Sequence, residues 1–280
     1  MVYKDISKVV LGQLGQEEFV APLSASILYF IITMSIGWIV RSLNNAMMPE
    51  PIKTHIANFT STLEMCAYFF ENNFIFKHYG GFWLFIAVVI ECFIANRTFF
   101  GASENPCQAF TGFLEQKMGP VTALITIIIQ ALGGLASYKF ARMVWSLDMV
   151  PDHRDRYFET QCSSDLNVAF FYGFIIEMGA TLIDTWLARQ KLVKLAIVDE
   201  LIKLTVGSLM IVLGIELTGM YFNPAMATGH TYGCHGSAHW EHLFVYWLGP
   251  FVGCYSAVLV GGILHIDVEA QEKDSKKKKE

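Results

Sequence analysis

Apolar positions along this chain come in long, nearly unbroken stretches, not at the alternating or 3.6-residue spacing of half-buried strands and helices. A helix that crosses a bilayer needs about 20 mostly apolar residues, because the hydrocarbon core is about 30 Å thick and each residue rises about 1.5 Å. Three stretches reach that length without a charge: 22–40, 118–138 and 243–264. Three more are nearly as apolar but carry charges. Segment 82–96 holds Glu91, 166–188 holds Glu177 and Asp184, and 195–215 opens on Asp199, Glu200 and Lys203. A seventh, 58–76, contains Glu64, Glu71, Asn72 and Asn73. It reads as a helix enclosed by others, since polar side chains facing lipid are costly. Segment 22–40 follows a polar leader with Glu17 and Glu18, and no small-residue cleavage site follows Val40, so it reads as a retained anchor helix.

Composition agrees with a bilayer as solvent. The 280 residues are 54% hydrophobic and 16% charged, against about 25% charged in soluble domains. A net charge of −5 excludes a basic nucleic-acid binder. Arg189, Lys191 and Lys194 and the lysine-rich tail are separated by two spans, so both can lie on the cytosolic side. The mixed-charge loop between Ser146 and Asp165 then falls on the opposite face, and the parity leaves the N-terminus non-cytosolic. The sequons at Asn58 and Asn96 lie in predicted spans and are expected to carry no glycan.

The chain repeats itself. Leu63-Glu64-Met65-Cys66-Ala67 matches Ile176-Glu177-Met178-Gly179-Ala180, and Asn105-Pro106-Cys107 matches Asn223-Pro224-Ala225. The offsets are 113 (177 − 64) and 118 (223 − 105), so the halves have similar lengths. Each half reads as a helix with a Glu, a second helix, a re-entrant Asn-Pro segment and a third helix. Three spans per half is an odd number, so the second half runs inverted. Asn is a strong helix cap and Pro suits the first helical position. The stretches that follow, 107–116 and 225–232, are too short to span and are expected to be half-helices. If they enter from opposite faces, two helix N-termini meet at mid-membrane, each carrying roughly +0.5 elementary charge. Cations are repelled there, while a neutral hydroxyl-bearing solute accepts hydrogen bonds from the two Asn amides.

The doubled Asn-Pro motif in an inverted repeat resembles the aquaporin family. Asn-Pro-Cys in the first half, Met226 in place of Arg after the second motif, and the hydrophobic segment ahead of the first Glu helix are similar to its divergent superaquaporin branch, the aquaporin-11 and aquaporin-12 type. The resemblance implies an all-α membrane fold of six transmembrane helices and two re-entrant half-helices, here with an extra N-terminal hydrophobic segment. It divides the chain into a leader and extra helix over 1–56, a channel domain over 57–265 with repeats 57–145 and 166–265, and a disordered lysine-rich tail over 266–280. It implies that Glu64 and Glu177 accept hydrogen bonds from the two re-entrant loops. A selectivity constriction carried over by spacing from the Asn residues falls on Phe85, Ile211, Met220 and Met226. It also implies a homotetramer in the lipid bilayer and a non-enzymatic channel for water and small neutral solutes, with no cofactor. The apolar ring points away from a strict water filter, toward glycerol or hydrogen peroxide as further permeants. It can equally close by dewetting.

Other constellations keep plainer readings beside the chemical ones. His230, Cys234, His235, His239 and His242 have ligand types suited to zinc or copper, but their spacings match no standard site, and the alternative is a polar loop at the membrane surface. Cys162 and Cys234 either pair in an oxidising lumen or stay free. Cys107 stands where the two motifs touch, as added bulk or as a redox-sensitive thiol. Glu91 is either a buried hydrogen-bonded acid or part of an ion path. Lys277 and Lys278 have the spacing of a dilysine retrieval signal, which points to the endoplasmic reticulum. Two rivals to the channel stand: a non-conducting structural membrane protein and an intramembrane metalloprotein.

Overall fold

The computed structural model describes residues 21–268; the polar leader and the end of the tail, with Lys277 and Lys278, lie outside them. Among the described residues, ten helices follow one another: α1 (Pro22–Met47), α2 (Glu50–Tyr79), α3 (Gly81–Thr98), α4 (Pro106–Leu114), α5 (Pro120–Trp145), α6 (Pro151–Phe158), α7 (Phe170–Ala188), α8 (Ala196–Thr218), α9 (Pro224–Thr231) and α10 (His239–Ile263). Proline opens α1, α4, α5, α6 and α9, where its missing N–H has no partner to lose. Within α10, Phe244–Leu248 forms a π turn just ahead of Gly249 and Pro250. A proline inside a helix removes one hydrogen bond of the ladder, and a widened turn is one way to absorb the loss.

The bundle is apolar outside and polar within. Ile31 on α1, Ile128 on α5, Leu213 on α8 and Ile263 on α10 are exposed, whereas Glu64, Glu71, Gln130 and Glu177 are fully buried. Among the described residues, six helices are long and apolar enough to cross a bilayer. The 30-residue α2 is long enough as well but carries the buried Glu64, Glu71 and Asn72. It lies between α1 and α5. The short helix α6, not anticipated from the sequence, packs against α5. Asp152 on it takes hydrogen bonds from Lys77 and His78 at the end of α2. Buried Glu71 ties α1, α2, α5 and α6 together, accepting from Ser26, Trp145 and His153 at 2.6, 3.0 and 3.0 Å.

The two repeats pack alike, and their packing corrects the equivalence read from the Glu motifs. A Cβ on Gly133 of α5 would press on Phe59 O, Thr62 and Leu63 of α2, and one on Gly253 of α10 on Met178 O, Thr181 and Leu182 of α7. These positions are offset by 119 on the first helices and 120 on the third (for example 178 − 59 and 253 − 133). Thr62 donates to Asn58 O, and Thr181 donates to Glu177 O, each at 2.8 or 2.7 Å. The counterpart of Glu177 is therefore Asn58. Glu64 lies six residues farther along α2, more than a turn and a half away.

Glu64 instead receives α1. Arg41 Nη1 donates to Glu64 Oε2 at 2.7 Å, Tyr68 donates to Glu64 Oε1 at 2.6 Å, and Arg41 Nε donates to Thr98 O at 3.0 Å. Both charged side chains are 1% exposed. The pair fits because residue 37 is glycine: a Cβ there would stand 1.7 Å from Glu64 Oε2. α1 also hydrogen-bonds the far end of α2 through Leu23 N and Tyr79 Oη. The start of α1 is thus on the same face as α6. At the other face, residues 264–268 are not free chain: Ile266 N donates to Gln190 Oε1, and Val268 N donates to Lys191 O.

Candidate pore site

Both Asn-Pro segments start half-helices, and the two starts face one another. Asn105 Oδ1 accepts from Cys107 N at 2.9 Å, and Asn223 Oδ1 accepts from Ala225 N and Met226 N at 3.1 and 3.2 Å. Each amide then donates across to the opposite loop: Asn105 Nδ2 to Phe222 O at 3.2 Å, and Asn223 Nδ2 to Glu104 O at 3.3 Å. An amide nitrogen has two hydrogens, so each Asn keeps one for a solute. Pro106 and Pro224 sit at the first turns of α4 and α9, both buried. Cys107 is buried as well, and Cys254 Sγ of α10 lies 3.8 Å from its carbonyl oxygen. On the other side, Ala225 O would be 2.1 Å from a Cβ on Gly134 of α5, so only glycine admits α9 this close.

The lead-in strands differ between halves. In the second, Met220 and Phe222 have φ of +47° and +32°, a conformation that non-glycine residues seldom adopt. Glu177 holds them there. Its carboxylate accepts from Thr218 Oγ1, Tyr221 N and Phe222 N at 2.6, 3.2 and 2.7 Å. In the first half, Asn58 Oδ1 accepts from Ser103 N at 2.9 Å, and Gln130 donates to Ser103 Oγ at 2.7 Å. Glu64, expected from the resemblance to anchor this loop, hydrogen-bonds Arg41 and Tyr68 instead, a correction that follows from its position along α2. Asn58 was legible by another route: it lies 47 residues before Asn105, as Glu177 lies 46 before Asn223.

A cavity of about 480 Å³ runs past the two Asn residues. Its wall ends at one side on Phe69, Val88, Ile211, Met220 and Met226, and at the other on Glu115, Lys117, Arg189 and Lys203. Ile211, Met220 and Met226 thus come together as the spacing implied. Phe85 does not join them. The lining stops at the turn of α3 that holds Val88, and Phe85 lies one turn beyond, partly exposed. No side chain among the four cavity-facing residues Val88, Ile211, Met220 and Met226 offers a hydrogen bond to a passing solute.

The remaining candidates fall apart into separate roles. Cys162 and Cys234 form a disulfide that ties the loop before α7 to the segment after α9. Next to it, Tyr221 Oη donates to Asp165, linking this outer loop to the pore lead-in. Burial pushes the Asp165 carboxyl above its usual range, against the hydrogen bond from Tyr221. His230 stacks on Phe70 with ring centroids 3.7 Å apart, while His239 and His242 pack on Tyr232. His235 N donates to Cys162 O. With Cys234 in the disulfide, the cluster has lost its thiolate, and among the described residues no group of three or more His, Cys, Asp or Glu can hold a metal ion. Glu91 accepts from Asn72 at 2.8 Å and lines the cavity.

Residues 16–261 match the family model for the major intrinsic protein. Aquaporin-11 of Milnesium tardigradum is 26% identical over 236 residues, covering 83% of this chain and 84% of that one. Putative aquaporin-10 of Caenorhabditis elegans is 26% identical over 251 residues, covering 88% and 89%. Aquaporin-12 of Mus musculus is also 26% identical, over 256 residues and 86% of each chain. With the inverted repeat and the facing Asn caps, these matches make the chain a member of the major intrinsic protein family, of the superaquaporin type, and so a multi-pass membrane channel for water or small solutes.

Proposed function

We propose that the chain conducts water together with small uncharged solutes such as glycerol and hydrogen peroxide, and rejects ions and protons. The observation that carries this reading is the crossed pair of hydrogen bonds between Asn105 and Asn223 and the opposite loops, which sets two helix N-termini against one lumen. Each contributes roughly half a positive charge, in a low-dielectric site where it repels cations strongly. Neutral solutes meet amide donors instead. Beyond them the constriction of Val88, Ile211, Met220 and Met226 returns no hydrogen bonds to a solute that sheds water, which favours solutes less polar than water relative to a ring with a fixed Arg. Glu177 and Asn58 serve as the loop anchors, and Cys107 as the packing contact between α4 and α10. Association as a homotetramer and residence in the endoplasmic reticulum through Lys277 and Lys278 belong to the same reading.

A second reading has one observation in its favour. The cavity lining ends at the apolar ring, which fits a closed state gated by the flexible Met220 and Met226, or a chain that conducts nothing. Flux measurement separates them. Purified protein in vesicles should speed osmotic shrinkage, glycerol entry and peroxide entry above empty vesicles without raising proton leak. Rates equal to those of empty vesicles for all three solutes would exclude conduction.

A further inference from the structure

The constriction takes one of its residues, Met220, from a lead-in strand that is held from outside the lumen. Residues 162–167, in the loop before α7, grip the chain on both sides of Met220. At the end of α8, Asn167 N donates to Leu217 O at 2.9 Å and Asn167 Nδ2 to Glu216 O at 3.0 Å. Beyond α9, Ser164 N donates to His235 O at 2.7 Å. Between these two holds, Asp165 accepts from Tyr221 Oη. Tyr221 is therefore pinned twice, through its hydroxyl by Asp165 and through its backbone N–H by Glu177 at 3.2 Å. Its buried ring packs on those of Phe69 and Tyr246, with centroids 5.3 and 5.7 Å away. A residue fixed at both ends also fixes the direction of its neighbour. Met220, at φ +47°, lays its side chain along α8 where residue 214 is glycine. A Cβ there would stand 2.1 Å from Met220 Cε and 3.0 Å from Sδ. Gly214 lies about one turn beyond Ile211, the last residue of α8 on the cavity wall. A flexible side chain of the ring thus rests in a notch of α8.

We propose that Asp165, Tyr221 and Gly214 set the bore of the constriction by holding Met220 in that notch, so that the outer loop decides the largest solute the ring admits. Asp165 and Tyr221 are positioning residues that act through Met220. Without their hydrogen bond the strand loses its outer hold and Met220 leaves the notch. It then moves away from α8 toward the rest of the ring, which narrows the passage. The effect on permeants rests on the channel reading above; the placement of Met220 does not.

The test combines flux in vesicles with the methyl resonance of Met220 in isotopically labelled full-length protein, assigned through Met220→Leu. Every variant is checked for a monodisperse elution profile. Tyr221→Phe removes the hydroxyl and keeps the ring. It should lower glycerol entry about tenfold, the factor that one hydrogen bond to a carboxyl supplies, and water permeation much less. Asp165→Leu should do the same, and Asp165→Asn, which keeps a carbonyl acceptor, should restore what Asp165→Leu loses. Gly214→Ala should give the same change from the other side. The atom in its way is the free end of a flexible side chain, so the backbone stays in place. In a Met220→Ala background none of these substitutions should alter the glycerol-to-water ratio further. The Met220 methyl resonance should move in Tyr221→Phe and Asp165→Leu and stay in Asp165→Asn. A ratio that ignores Tyr221→Phe and Gly214→Ala, or that changes equally in the Met220→Ala background, would overturn the proposal. A methyl resonance that ignores Tyr221→Phe and Asp165→Leu would remove the placement itself. If wild-type vesicles pass no solute while the resonance responds as expected, the placement stands and the channel reading falls instead.

Discussion

The two halves of the molecule solve one problem differently. Each must hold an irregular lead-in strand at membrane depth, where unpaired backbone groups are intolerable unless the protein satisfies them. In the second half a buried carboxylate, Glu177, takes two backbone N–H groups and a hydroxyl and keeps Met220 and Phe222 in left-handed conformations. In the first half the equivalent place holds a neutral amide, Asn58, which takes one N–H, and Gln130 supports the same strand through Ser103. The contrast shows that a position conserved in geometry need not keep its charge. The carboxylate that α2 does carry, Glu64, has been given to Arg41, and with it the extra helix α1 becomes part of the bundle.

Substitutions should reveal that asymmetry by size. Glu177→Ala leaves three donors without an acceptor, a loss on the order of 5 kcal/mol at about 1–3 kcal/mol for each buried group. Melting in detergent should fall most for this variant, and flux should vanish. Arg41→Ala strands the Glu64 charge and should cost about 3–5 kcal/mol, whereas Arg41→Met combined with Glu64→Leu should recover much of the loss. Recovery by the double variant would show that α1 is held by the ion pair as a unit. The second half alone has a covalent clamp, between Cys162 and Cys234, 72 residues apart. Cys162→Ser should lower stability by about 3 kcal/mol, and reductant should do the same to wild type but not to the variant. Asn58→Ala removes one backbone partner and should cost about 1–3 kcal/mol, clearly less than Glu177→Ala. An equal loss from both would break the comparison.

The smallest effect concerns the surface. Burial alone would raise the Asp152 carboxyl, but hydrogen bonds from Lys77 and His78 hold it below its usual range. Its folded value lies below the unfolded value of about 3.9, so its contribution is complete above that pH and is lost as pH falls through the lower one. Asp152→Asn should therefore flatten the acid limb of the melting profile slightly, by no more than about 1 kcal/mol.

The spans and half-helices were legible because each rests on a one-dimensional signal: an apolar run of bilayer length, or Asn followed by Pro at a helix start. α1 runs to Met47 rather than Val40 because a charge that ends an apolar run on the page can be buried in three dimensions, as Arg41 is. The Glu64 role was misread because local similarity around Glu-Met aligned the wrong turn of α2, while counting back from the Asn-Pro segments finds Asn58. Phe85 was assigned to the constriction in place of Val88 for a related reason, since spacing from Asn105 cannot tell where along α3 the cavity stops. The π turn before Pro250, and the short helix α6, depend on packing and have no repeat to announce them.

A single conducting pathway requires Asn105 and Asn223 to serve one lumen. Peroxide entry into vesicles should be measured for Asn105→Leu, Asn223→Leu and the double variant, with correct assembly checked by size exclusion. If both residues face a single pathway, each single variant should abolish most of the flux and the double should be no worse. Flux that survives either substitution unchanged, or that falls in two independent steps, would contradict it.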